Sequence, residues 1–287
     1  MTAPPTQRPA FETVMSGLAF PEGPRWHEGA LWFSDMHDGR VVRCAPGAAP
    51  ETVVTLDDCP SGLGFLPDGT PLVVAMHARR VLRVDGGAVR VHADLSGIAT
   101  WHANDMLVDR AGRAYVGNFG DGTAPPEPIT PAALALVGPG GDVREAAAGL
   151  HLPNGMALLD GGRTLAVAET RALPPRITTF SVGPDGSLSD RRVLIELDAE
   201  LPDGLTADAG GNVWFASPFT GELVRVSRAG RITARLDCPR PPYACVLAGA
   251  GAGPGAAMYV CAADDWVPEK CRAQRTGAIL RVDISGL

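Results

Sequence analysis

The chain of 287 residues has no run of lysine and arginine, no unbroken apolar stretch of membrane-spanning length and no CxxC pair. Each absence excludes something. Phosphate binding needs a clustered positive surface, and a net charge of −7, from 25 basic against 32 acidic side chains, argues against nucleic acid as a partner. The longest apolar segment, Val246 to Val260, is interrupted by Gly and Pro and too short to cross a bilayer as a helix, so a soluble protein with no membrane partner is expected. Met1 to Ala10 is polar and Pro-rich without the apolar centre of a secretory leader, and reads as a flexible tail. Cys44, Cys59, Cys238, Cys245, Cys261 and Cys271 show no metal-ligand or disulfide-framework spacing, so free thiols in a reducing cytoplasm are expected.

No linker or shift of composition divides the rest, and residues 11–287 read as one domain. Apolar residues make up 45% of the chain, enough for a large core, while 35 Gly and 26 Pro suit strands and turns better than helices. The expected class is all-β.

A repeat gives that class a shape. Leu152-Pro153-Asn154-Gly155-Met156-Ala157-Leu158-Leu159 is a corner and an apolar strand, followed by the turn Asp160-Gly161-Gly162 and a second apolar strand, Thr164 to Ala168. The same pattern follows Glu22, Ser61, Asn104, Asp203 and Ala244, at intervals of about 40 to 50 residues, the length of a four-stranded propeller blade. Six units therefore predict a six-bladed β-propeller of four-stranded blades around a central channel. The first unit lacks an outer strand, and Phe11-Glu12-Thr13-Val14 stands alone before it, so the chain's first strand is expected to complete the last blade and pair its open edge.

In each unit the entrance residue opens the innermost strand, so the six entrances should ring the channel at one end. Glu22, Asn104, Asn154 and Asp203 bring side-chain oxygens there, while Ser61 and Ala244 are small. Any one Asn-Gly or Asp-Gly is an ordinary turn dipeptide; oxygen ligands in register across four repeats are not. Two carboxylates and two amides, without Cys or His, form a hard-oxygen set whose charge of −2 matches one divalent cation. Ca²⁺ is the expected ion, with Mg²⁺, Mn²⁺, Zn²⁺ or Fe²⁺ as alternatives.

With these motifs in view, the chain resembles the SMP-30/gluconolactonase family of six-bladed β-propeller lactone hydrolases, relatives of regucalcin. The likeness runs from about Phe11 to Gly286 and rests on Glu22-Gly23-Pro24, Asn104-Asp105, Pro153-Asn154-Gly155-Met156, Arg163-Thr164-Leu165 and Pro202-Asp203-Gly204. The resemblance implies that Glu22, Asn154 and Asp203 bind the ion, that Asn104 lies beside it and touches substrate, and that Asp203 doubles as catalytic base. It also implies an Arg two residues before the Asn of the Asn-Asp pair, contacting sugar hydroxyls. Here that position is His102, preceded by Trp101, which offers fewer donors and more apolar surface and suits a less hydroxylated cyclic ester.

The expected activity is metal-dependent lactone hydrolysis on a small-molecule substrate. A Lewis acid polarises the carbonyl, and because Ca²⁺ acidifies water weakly, Asp203 is the expected general base. Phosphotriester hydrolysis and non-catalytic binding of calcium or a small ligand are the alternatives on such a site. The longest Pro/Gly-rich insertion, Gly120 to Pro131, follows the second strand of the third unit. Taking second strands to run away from the entrance end, it is expected far from the ion unless it folds back as a lid.

Overall fold

The computed structural model describes residues 4–123, 127–249 and 256–286. Six antiparallel sheets are arranged as a six-bladed β-propeller. Blade 1 is Pro21–His27, Ala30–Asp35, Arg40–Cys44 and Glu51–Thr55, from the channel outward. Blades 2 to 5 repeat this order, beginning at Pro60–Phe65, Ala103–Val108, Pro153–Leu159 and Leu205–Ala207. In blade 6, Pro242–Leu247, Ala257–Ala262 and Gly277–Asp283 are completed by Phe11–Leu18, the expected closure of the ring.

The strands read as continuous apolar runs because both faces of each blade pack on a neighbour. In Pro71–Ala75, Leu72 and Val74 point into a cluster with Met106, Val116 and Ala135 of blade 3. Val73, between them, points the other way, to Val41 and Val54 of blade 1. Period-two alternation thus feeds two hydrophobic layers instead of one layer and solvent. Blade 4 does the same, with Leu165 and Val167 against Tyr115 and Leu136 of blade 3, and Ala166 and Ala168 against Phe215 and Val224 of blade 5.

Inside the segment read as a tail, Thr6–Gln7 pairs in parallel with Ile232–Asp237 and makes the sheet of blade 5 five-stranded. Thr6 Oγ1 donates to Glu222 Oε1 (2.8 Å) and Arg8 pairs with Asp237 (3.0 Å). All six cysteines are free thiols. The sixth repeat's turn, Ala252-Gly253-Pro254, lies outside the described residues. Among those described, no helix is long and apolar enough to cross a membrane.

The expected direction of the second strands is corrected. Inner and second strands are antiparallel, so the end of the second lies beside the start of the first: Asp35 pairs with Pro21, Asn118 with Ala103 and Glu169 with Pro153. The connection from second to third strand therefore rises at the entrance end in every blade, next to the candidate ligands.

Candidate active site

A local irregularity aims the entrance side chains. Pro153 pairs with Glu169 and Met156 with Val167, so Asn154 and Gly155 together face the single residue Ala168. The same one-residue bulge stands at Gly23-Pro24, Ser61-Gly62 and Asn104-Asp105. Bulges re-aim side chains, and these four lie at the start of the strands beside the channel. A glycine next to the entrance lets adjacent inner strands close up: a Cβ on Gly155 would lie 2.4 Å from the Asp203 carbonyl oxygen, and one on Gly204 2.4 Å from Ala244 Cβ.

The polar side chains then form an arc. Ser61 Oγ donates to Asn104 Oδ1 (3.3 Å), Asn104 Nδ2 to Asn154 Oδ1 (2.9 Å), and Asn154 Nδ2 to Asp203 Oδ1 (2.5 Å). Thr170 Oγ1 donates to the Pro202 carbonyl (2.6 Å) and accepts from Asn154 Nδ2 (3.3 Å), tying blade 4 to blade 5. Glu22 Oε2 accepts from the Gly23 N–H (2.7 Å). Below the arc, Arg25 Nη2 donates to Asp105 Oδ1 (2.8 Å) and to the Met106 carbonyl.

Burial, then the charge of Asp203, raises the pKa of Glu22 well above the ordinary carboxylate value. Asp203 is raised too, by burial first and by the charge of Asp105 second, against the lowering pull of the Asn154 bond. Counted as formal charges, the three carboxylates Glu22, Asp105 and Asp203 against the one guanidinium of Arg25 leave −2, and their mutual repulsion adds to the raised pKa values. That charge and the all-oxygen donor set suit a hard divalent cation.

Glu22, Asn104, Asn154 and Asp203 line the floor of one cavity of about 530 Å³. Its walls come from the connections between second and third strands: Met36 and His37 in blade 1, Met76 in blade 2, Phe119 in blade 3. Blade 4 gives Thr170 to Leu173, blade 5 gives Pro218 and Phe219, and blade 6 gives Trp266 just ahead of the helix Pro268–Gln274.

Trp101 and His102 do not line this cavity. They stack on each other (4.9 Å between centroids) behind Phe119, whose ring lies 6.4 Å from that of His102 and whose N–H donates to the His102 carbonyl (3.0 Å). Of the other histidines, His37 reaches the wall and His77 lies edge-on to His102 (4.5 Å). Asp58, Cys59 and His77 also bring potential ligand atoms within 4.8 Å of one another. The Asp58 carboxylate there already accepts the N–H groups of Cys59, His77 and Ala78 and lies 2.6 Å from His77 Nδ1, so it serves as a turn anchor.

The insertion Gly120 to Pro131, of which 124–126 lie outside the described residues, starts at the cavity end. Arg171 holds it there, donating to the carbonyls of Thr123 (3.1 Å) and Glu127 (2.5 Å). The site also contains Asp105, Thr170 and Arg171, for which the sequence alone predicts no role. Asp105 and Thr170 were open to discovery, because each occupies a fixed place in the repeat, directly after an entrance residue or a second strand.

Known proteins bear on this architecture. A pentonolactonase of Haloferax volcanii is 29% identical over 284 residues, covering 92% of this chain and 90% of that one. The solved structure of a gluconolactonase from Xanthomonas campestris superposes with a TM-score of 0.76 at 20% identity, covering 98% of both chains. That of regucalcin from Agrobacterium tumefaciens, described as a calcium-binding protein, gives 0.78 at 18% identity over 96% of this chain and 94% of that one. Likeness at such identity speaks for the fold. The profile of the SMP-30/gluconolactonase/LRE-like region matches residues 20–263, and the chain belongs to that family.

Proposed function

We propose that the protein is a divalent-metal-dependent hydrolase that opens a lactone to its hydroxy acid. The carrying observation is the convergence of Glu22, Asn104, Asn154 and Asp203 on the floor of one cavity, in a chain of this family. The pentonolactonase and gluconolactonase among its relatives support the reaction class, and the calcium-binding regucalcin supports the cofactor.

In this reading Glu22, Asn154 and Asp203 hold one cation, Ca²⁺ by the hardness of the donors, and Asn104 is a fourth ligand or a contact to substrate. The ion supplies Lewis-acid polarisation of the lactone carbonyl. Asp203 takes the proton of the attacking water as the water oxygen bonds to the carbonyl carbon. The ring C–O bond then breaks, the ring oxygen leaves with that proton, and the product is the open hydroxy acid. Help of this kind contributes roughly 10²- to 10⁴-fold in rate. Apolar walls exclude bulk water around the reacting ester. Trp101 and His102 back the wall residue Phe119.

The test is a pH-stat assay of chelated and metal-replete protein on lactones beside phosphotriesters. Acid release from lactones that vanishes on chelation and returns with Ca²⁺ or another divalent ion is expected. Turnover unaffected by chelation, or confined to phosphotriesters, would end the reading.

A further inference from the structure

Above the floor, the cavity is lined mostly by apolar side chains. Phe20, Met36, Met76, Phe119 and Tyr243 form its middle layer, with Phe20 stacked on His37 (5.1 Å) and edge-on to Tyr243 (4.7 Å). At the mouth stand Leu173, 77% exposed, Phe219, 63%, and Trp266, 57%, three of the most exposed large apolar side chains among the described residues. Phe219 and Trp266 lie against each other with ring centroids 5.8 Å apart. Isolated exposed apolar residues are ordinary, but a cluster at a cavity mouth marks a binding surface.

Several of the polar wall groups are engaged within the protein. His37 Nε2 is bonded to the Trp266 carbonyl (3.1 Å), and Thr170 Oγ1 donates to Pro202. Arg171 gives one N–H of each terminal nitrogen to the Thr123 and Glu127 carbonyls, which leaves its other N–H groups and the Tyr243 hydroxyl as the few donors of the wall. Most hydroxyl groups placed against the apolar wall would give up water without gaining a partner, which costs free energy. A hydrocarbon arm would gain by burial. The volume of about 530 Å³ is in the range of roughly 300–1,000 Å³ that takes drug-sized ligands, well beyond a bare lactone ring.

We infer that the substrate is a lactone whose ring, held at the polar floor, carries a hydrophobic alkyl or aryl arm that fills the shaft up to Phe219 and Trp266. The inference rests on the lactone reading above and adds the chemistry of the arm. It sets the substrate apart from polyhydroxylated sugar lactones, whose hydroxyls outnumber the few polar groups of a mostly apolar wall.

Two series of lactones decide it, assayed on the full metal-replete chain: one bearing arms from methyl to octyl on a common ring, the other polyhydroxylated. Each buried methylene should raise kcat/KM roughly three- to fourfold until the shaft is filled. The Phe219→Ser/Trp266→Ser protein, changed only at exposed positions, should flatten that slope. A slope of zero in the wild type, or faster turnover of the polyhydroxylated series, overturns the inference and leaves the lactone reading standing. If no lactone opens with any metal, the hydrolase reading falls by itself. Calorimetry with alkylated cyclopentanones, ring analogues that cannot hydrolyse, then judges the shaft alone: affinity rising with the arm supports it, and affinity independent of the arm refutes it.

Discussion

In the proposed mechanism two demands meet on the Asp203 carboxylate: it would hold the cation as a ligand and take the proton of the attacking water. Asp203→Asn separates them, since the amide keeps an oxygen but has no basic site. We expect kcat to fall by at least about 10²-fold while metal binding, followed by calorimetry, survives in weakened form. Wild-type kcat in this variant would remove the base. His102 illustrates a different lesson. The resemblance puts it where a substrate-binding Arg is expected, while in the structure it packs with Trp101 and Phe119 and is not among the residues that line the cavity. His102→Ala should therefore alter kcat and KM by no more than about twofold. A tenfold rise in KM would restore direct contact.

Among the strands, the tie that holds blade 4 together is Glu169, fully buried at the end of Thr164–Glu169. Its carboxylate accepts from Arg176 (2.9 and 3.0 Å), from Arg191 (3.1 Å) and from Thr178 Oγ1 (2.5 Å). Burial pushes its pKa up, but the Arg176 and Thr178 bonds outweigh that and hold it at about 2. A folded-state pKa below the unfolded value stabilises at neutral pH, and the contribution is lost as pH falls from about 4.5 through about 2. With solvent screening around the part-exposed Arg191 it is worth roughly 1–3 kcal/mol. Melting curves of Glu169→Gln against wild type should differ most at neutral pH and converge in acid. A difference that is constant with pH would contradict the assignment. Nothing in the sequence singles out Glu169, because its three side-chain partners lie 7 to 22 residues further on and join it only through strand register.

For the whole molecule, the ring depends on its first strand. Phe11–Leu18 pairs with Gly277–Asp283 from Phe11↔Val282 to Leu18↔Gly277, joining the chain's beginning to its end. Deleting residues 1–18 would bare the edge of Gly277–Asp283 and uncover part of the core behind it, and edges of this kind promote aggregation. We expect Tm to fall by roughly 10 °C or more, with aggregates in size-exclusion chromatography. An unchanged, monodisperse protein would show the ring to be closed by other contacts. This closure, the blade count and the four oxygen positions were legible because repetition imposes a period that a reader can find without structure. The cavity walls were not. They rise from loops of unequal length whose side chains share no motif, and taking the second strand to run away from the entrances sent those loops to the wrong end. Antiparallel pairing alone, applied to Ala103 and Asn118, would have corrected that.

The bulge that recurs at the head of the inner strands has a last consequence. Rotation by one blade carries each hub position onto the next, so the frame has more seats than the four oxygen side chains fill: Ser61 is small, and in blade 6 the seat falls to Tyr243, the residue at the register shift between Pro242 and Ala244, which lines the cavity, and not to Ala244, which packs in the core. Each seat belongs to a separate hairpin and is fixed by backbone pairing, not by the side chain it bears. A carboxylate or amide introduced at Ser61, whose hydroxyl already bonds Asn104, would join the ring of donors while the backbone pairing holds strand register. The scaffold thus behaves as an indexed turret, in which one substitution at the hub re-chambers the same barrel for a different ion or a different ester.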